Sequence, residues 1–476
     1  MEPGFQPHQA EAQVARLQAV FSRQRAAWAA APYPGREERR QALVSLREAL
    51  LRHADEFCAA ISADFGHRSA HETRVLELFP CIEGIRHAEK SLKKWMKSER
   101  RPVSKWFMPA SNTLIAQPLG VVGIIVPWNY PLYLAIGPLT SALAAGNRVM
   151  LKMSEFTPRT GELLARVLSE CFHEDQVVAF NGGVEVAQVF SSQPFDHILF
   201  TGSTSVGKHV MRAASEHLTP VTLELGGKSP TLVGPEFSVK TAAERILHGK
   251  CLNAGQTCVA PDYVFVPEAR LAEFVEAAKV AVNGWYPNLP ANPDYSAVIN
   301  ERHRHRLEGY LTDAKAQGAT IIPLVEGDCS HTGKMAPTIV TGVSDAMKIM
   351  QDEIFGPLLP VMTYRNFDEA IAYVNAHPRP LALYLFDYDR ERISYVLSHT
   401  ISGGVALNET VVHVAQDDLP FGGVGPSGMG AYHGKEGFDT FSKKKGVFAQ
   451  SRVNGLSLLR PPYGKTIETM IKFMLR

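Results

Sequence analysis

Residues 148–208 read RVMLKMSEFTPRTGELLARVLSECFHEDQVVAFNGGVEVAQVFSSQPFDHILFTGSTSVGK. Three short apolar runs, RVMLK (148–152), QVVAF (176–180) and DHILF (196–200), are separated by PRTGELLARVLSECF and VEVAQVFSS, whose apolar residues recur every three to four positions. The first pattern suits a strand buried on both faces and the second an amphipathic helix, so the stretch predicts consecutive βαβ units on a parallel sheet. Working outward, SVGKHVMRAASEHL continues as helix and PVTLEL as strand, and upstream LGVVGIIVP reads as a strand and PLYLAIGPLTSALAAG as a helix. From Ser229 a second alternation begins (SPTLVG, AAERILHGKCLNAG, YVFVP, EARLAEFVEAAKVAV) and runs to about Asn408. The fold class expected is α/β, with two Rossmann-like parallel-sheet domains. The first hundred residues are helical by pattern.

The chain has 476 residues, 49 basic against 48 acidic side chains, and 45% apolar residues. This balance excludes a disordered chain and gives no general attraction to nucleic acid or anionic membrane. The Lys90–Arg101 basic cluster reads as a solvated helix face. Six cysteines are scattered without a CxxC pair, so neither a disulfide framework nor a zinc site is expected, and no metal is assigned. The start, MEPGFQPHQAEAQ, shows no signal-peptide pattern, which points to a cytoplasmic enzyme. Trp106–Asn147 contains no Asp, Glu, Lys or Arg over 42 residues. Pro118, Pro127, Pro131 and Pro138 recur along it, so no spanning helix is expected. A deeply buried strand, turn and helix lining a pocket is the reading preferred. The tail TIETMIKFMLR is amphipathic and too short to span; it reads as a terminal helix docking on this protein or its dimer mate, or as a surface-binding helix.

Several residues offer chemistry. In FTGSTSVGK (200–208), Gly202 permits a strand-to-helix turn, Ser203 can cap the helix and Gly207 allows close approach; a phosphate site and a plain helix start both fit. Lys152 and Glu155 of LKMSE end a strand, where they could reach a ribose or pair with each other. Cys258, in the turn GQTCVAP, is either an inert buried thiol or a nucleophile, and the latter needs a lowered pKa and access. Glu224 among Leu223, Leu225 and two glycines is either a paired structural acid or a general base with a raised pKa. The Asn129 amide in PWNYP suits an oxyanion donor.

PWNYP, KMSE, FTGS, LELGGKSP, GQTCVAPDY, EIFGP (353–357) and PFGGVGPSGMG (420–430) together resemble the NAD(P)-dependent aldehyde dehydrogenase superfamily in order and spacing, with Glu224 34 positions and Asn129 129 positions before Cys258. GGVGPSGMGAYHGKEGFDTFSKKK is similar to the class-three branch, and NETVVHVAQDDLPFGG and RPPYGK to its bacterial members acting on coniferyl aldehyde. The resemblance implies Cys258 as nucleophile, Asn129 and the Cys258 N–H as oxyanion donors, and Glu224 as the base for thioester hydrolysis. It implies NAD as cofactor, with NADP possible: Lys152, Glu155, Gly202, Ser203 and Gly207 at the adenosine and pyrophosphate end, and Glu353 and Phe355 at the nicotinamide ribose and ring. It further implies a cofactor domain (1–96 and 122–224), a catalytic domain (225–410), a small β bridging and oligomerisation element (97–121 and 411–445), a tail (446–476) and a homodimer. Pocket walls are expected near Tyr130, Tyr133, Leu134 and Thr257. The departures are small: Met153 where many relatives have proline, Ser203 where some have asparagine. A cysteine acyl-transfer hydrolase would use Cys258 and Glu224 but has no need of FTGSTSVGK and KMSE. A dehydrogenase passing its acyl group to coenzyme A or phosphate would lack Glu224. An aliphatic or benzylic aldehyde is the alternative substrate.

Overall fold

A computed structural model describes residues 7–327, 329 and 331–475; Met1–Gln6 of the stretch searched for a signal-peptide pattern and the last residue of the tail lie outside the described residues. The first alternation folds into a six-stranded sheet whose order is Gly428–Met429, Val221–Glu224, His197–Thr201, Val121–Ile125, Arg148–Lys152 and Val177–Phe180. All neighbours are parallel except the Gly428–Met429 edge. The chain leaves Val121–Ile125 toward one edge and resumes on its other side at His197–Thr201, so the sheet has a topological switch point between these two strands. In open α/β sheets ligands bind at such a point, outside the carboxyl ends of the strands. A second, seven-stranded sheet carries Tyr263–Pro267 at its centre and is parallel except for its Thr320–Pro323 edge. A third, antiparallel sheet joins Glu99–Arg101, Ser111–Pro118 and Ser442–Ala449.

The uncharged run acquires a physical reason here. Its strand Val121–Ile125 is buried at every position in the middle of the first sheet, and its helix Tyr133–Ala145 is buried on nearly all sides. An ionised side chain in either place would be desolvated without a partner. No helix among the described residues is long and apolar enough to cross a membrane. The one notable departure from the expected elements is the helix through AAERILHGKCLNAG. It stops at Cys251, and Asn253 and Ala254 take left-handed backbone angles (φ 50° and 51°) ahead of Gly255. A helical period cannot reveal this, because the turn is held by side chains distant in sequence. The tail helix Lys465–Met474 buries Ile467 and sets Phe473 edge-on against Trp106, 6.1 Å between ring centres, while Ile471 stays exposed.

Candidate active site

Three strand ends of the first sheet and segments from the second half of the chain meet around a cavity of about 210 Å³. Pro127, Trp128 and Asn129 follow one strand, Thr201, Gly202 and Ser203 another, and Glu224, Leu225 and Gly226 a third; Cys258, Glu353 and Phe355 come from the second half of the chain. Register explains the placing of Glu224. It is opposite Thr201 in one neighbouring strand and Gly428 in the other, and its carbonyl accepts the Gly202 N–H at 3.0 Å. The PFGGVGPSGMG segment is thus the cover of the sheet edge beside Glu224.

The charge state of the site is set by burial. Glu224 is 3% exposed, and both its carboxyl oxygens lack a hydrogen-bond partner among the described residues. Desolvation alone pushes it well above the usual carboxylate range. Cys258 is half-buried, with the N–H groups of Cys258 and Val259 directed at its sulfur. Desolvation and, next, the neighbouring Glu353 and Glu224 carboxyls push its thiol up to about 12, despite those N–H groups. The lowered thiol pKa that nucleophilic work requires is therefore absent from the protein on its own, and the resting thiol is neutral. Glu353 is raised to about 8, by burial first and by Asp262 second. Asn129 is buried; its Nδ2 donates to the Gln256 carbonyl at 3.1 Å, which leaves one N–H of that amide for a ligand.

Of the residues expected at a cofactor, Gly202, Ser203, Glu353 and Phe355 line the cavity. Ser203 caps helix Thr204–Ser215, its Oγ accepting the Val206 N–H. A Cβ at Gly207 would come within 2.8 Å of Leu225 Cδ2, so this glycine serves contact between helix and strand end and is not in the lining of this cavity. Gly226 lies flat under the Glu353 carboxyl, and any Cβ there would overlap it. Lys152 and Glu155 stand apart from this cavity, at the end of Arg148–Lys152. The Lys152 Nζ donates to the carbonyls of Met153 and Gly182, both at 2.7 Å, and burial lowers it to about 8. The expected walls moved as well. None of Tyr130, Tyr133, Leu134 and Thr257 lines the cavity; Tyr130 is hydrogen-bonded to Thr257 behind it, and Tyr133 borders a separate small cavity with His433. Both tyrosines are spent on internal contacts that no local pattern shows.

The walls are instead Trp128, His303 and Phe355, with Trp128 packed edge-on to Phe355 at 5.4 Å and against His303 at 5.0 Å. Phe355 itself has a left-handed backbone, φ 48°. Arg306 holds the carbonyls of Glu353 and Phe355, each at 3.4 Å. His303 and Arg306 were not singled out from sequence, although their spacing of three on the first turns of helix Glu301–Ala316 was visible. The same holds for Lys228, whose ammonium pairs with Asp262 and donates to the Ile349 and Asp352 carbonyls, fixing the entry to EIFGP.

A nicotinamide dinucleotide fits these residues. Glu353 Oε1 and Thr201 Oγ1 are buried acceptors without a partner among the described residues. The glycine-floored cleft leads to the N-terminus of a twelve-residue helix, which favours a phosphate.

The aldehyde dehydrogenase family model matches residues 5–447. A protein of Pseudomonas aeruginosa described as a probable coniferyl aldehyde dehydrogenase is 58% identical over 464 residues, 97% of each chain. The substrate-bound aldehyde dehydrogenase AldH of Staphylococcus aureus superposes with a TM-score of 0.91 at 37% identity, over 96% of this chain and 99% of its own. A Mycobacterium tuberculosis aldehyde dehydrogenase in complex with NAD+ gives 0.84 at 29% identity, over 93% and 92%.

Proposed function

We propose, from the premise that this chain belongs to the aldehyde dehydrogenase family, that Cys258 adds to an aromatic aldehyde of the coniferyl type and that Glu224 activates the water that releases the acid. Oxidation of an aldehyde with NAD(P) is what membership carries; the roles of the side chains and the substrate are the reading offered. The observation behind it is the meeting of Cys258, Asn129 and Glu224 on one cavity, with Glu224 carrying two unpartnered carboxyl oxygens. A buried acid without a partner is a poor structural element and a good site for a water.

As the thiol gives up its proton to solvent, the sulfur forms a bond to the carbonyl carbon and the carbonyl π electrons move onto oxygen. The free N–H of the Asn129 amide and the Cys258 backbone N–H stabilise that oxyanion. Bound in the cleft, NAD supplies a hydride acceptor and a positive ring whose charge favours the thiolate. Glu353 and Phe355 would hold its nicotinamide half, Gly202 and Ser203 its pyrophosphate, Lys152 and Glu155 its adenosine ribose. In the second half-reaction the acyl group is a thioester on Cys258. Glu224, once it has released its own proton to solvent, takes a proton from water, the water oxygen adds to the acyl carbon, and the carbon–sulfur bond breaks to give the acid and the Cys258 thiolate. Thiolate is a better leaving group here than alkoxide would be, which is the reason for cysteine over serine. The Glu155 carboxylate disfavours a 2′-phosphate and supports NAD over NADP.

The coniferyl-type substrate is supported by the 58% identical relative and by the aromatic walls Trp128 and Phe355. A panel of aliphatic, benzylic and cinnamyl aldehydes, assayed with NAD and with NADP, tests it. The highest kcat/KM is expected for coniferyl aldehyde with NAD. A higher value for an alkanal would overturn the substrate, and acid formation without cofactor would overturn the redox reading. A homodimer through the small sheet is supported by its two open edges and by exposed Phe448 and Phe107; sedimentation at monomer mass would remove that support.

A further inference from the structure

Behind the cavity wall lies a buried ion pair that the chemistry above does not use. Arg68 and Glu77 have fully buried side chains, and Arg68 Nη1 donates to Glu77 Oε1 at 2.8 Å. The same nitrogen donates to the main-chain carbonyl of Asn129 at 3.0 Å, and the guanidinium lies over the Tyr130 ring, 4.8 Å from its centre. Glu77 Oε2 accepts the N–H groups of Leu132 (2.8 Å) and Tyr133 (3.0 Å), two free amides at the start of the next helix. The Asn129 turn is therefore gripped on both sides by one pair.

A second acid reaches the nucleophile's turn from the same helical segment. Glu72 Oε1 accepts the Asn253 N–H at 3.0 Å, where the backbone is left-handed, and Asn253 Nδ2 donates to the Asn129 carbonyl at 2.9 Å. The Gln256 amide is bonded to Asn253, Ala297 and Ile299. Two distant chain segments thus share one carbonyl, that of Asn129, with Arg68 and Asn253 as its two donors. Two strained, non-glycine residues persist only where the surroundings over-determine them.

We propose that Arg68 is a positioning residue that holds the Asn129 amide in register with Cys258, acting through the Asn129 carbonyl and the Glu77 carboxylate. The proposal rests on the reading of Asn129 as oxyanion donor. Both hydrogen bonds leave from Nη1, so what sets a guanidinium apart here is its flat face over the Tyr130 ring, a stacking contact that a lysine ammonium does not reproduce.

The test is a kinetic double-mutant cycle on the full-length enzyme between Arg68→Met/Glu77→Gln, which removes both buried charges together, and Asn129→Ala. The pre-steady-state rate of NADH formation is measured with NAD affinity by fluorescence titration alongside. In the wild-type background the paired change is expected to slow NADH formation about ten- to a hundredfold, the effect of a misplaced catalytic group, with NAD affinity within about threefold. In the Asn129→Ala background the same change should slow it less than about threefold. Arg68→Lys runs through the same cycle and keeps the question decidable if the paired variant does not fold. Equal losses in both backgrounds, or a loss of NAD affinity that accounts for the rate, overturn the proposal. Asn129→Ala with unaltered rate would instead remove the oxyanion reading beneath it.

Discussion

Replacing Glu224 with glutamine separates the two halves of the reaction. The carboxyl is buried, unpartnered and held neutral by desolvation, so glutamine matches it in shape and in charge. No hydrogen bond is broken, and the change in stability at neutral pH is expected to be about 1 kcal/mol or less. What is lost is proton abstraction from water, a contribution of about 10²–10⁴ in rate, or roughly 2.7–5.4 kcal/mol at 1.36 kcal/mol per tenfold. Stopped-flow absorbance of NADH should show a burst of about one equivalent per site, at close to the wild-type rate, followed by steady turnover slowed by that factor. Acid quench during the slow phase should trap acyl-enzyme on Cys258. A second readout uses linkage. A carboxyl whose folded pKa is raised contributes stability that is fully present below the unfolded value, about 4.3, and is lost as pH rises from there through the folded value. Wild type should therefore lose stability relative to Glu224→Gln as pH rises above the unfolded value. Steady turnover at the wild-type rate would refute the reasoning and pass the base role to Glu353. A first turnover slowed as much as the later ones would refute the assignment to hydrolysis.

Cys258→Ala should abolish NADH formation while NAD still binds, and appreciable turnover in that variant would show that the thiol is not the nucleophile. With the thiol held near 12 by burial and two carboxyls, alkylation of Cys258 by iodoacetamide without cofactor should speed up about tenfold per pH unit from 7 to 10. A plateau near pH 8 would mean that the protein lowers the thiol pKa without NAD. Gly226→Ala must push the Glu353 carboxyl aside, so the KM for NAD should rise about tenfold or more, the value of a lost charge-assisted hydrogen bond, and an unchanged KM would place Glu353 away from the cofactor.

Much of the cavity's polar lining was legible because the residues that could carry chemistry there sit oddly in their local pattern. Glu224 interrupts an apolar strand end, Asn129 interrupts an uncharged run and Cys258 lies outside any apolar period. The residues expected to wall this cavity lie outside its lining for the complementary reason. Tyr130 and Tyr133 are aromatic and adjacent to Asn129 in sequence, yet their hydroxyls are committed to Thr257 and His433, far along the chain. Trp128, His303 and Phe355 replace them, brought together from three separate segments.

The sequence by itself determined the two strand–helix alternations, the buried character of residues 106–147, and which groups could act as nucleophile, base and donor, since period and side-chain identity are local properties. Only the tertiary structure decided their protonation and their alignment. Desolvation raises the pKa of both Glu224 and Cys258, and for the thiol the neighbouring carboxyls of Glu353 and Glu224 add to it. The grip of Arg68, Glu72 and Glu77 on the turns of Asn129 and Cys258 spans up to 181 positions of chain. Desolvation and hydrogen bonding depend on distances in space, and no order of residues along a chain contains those.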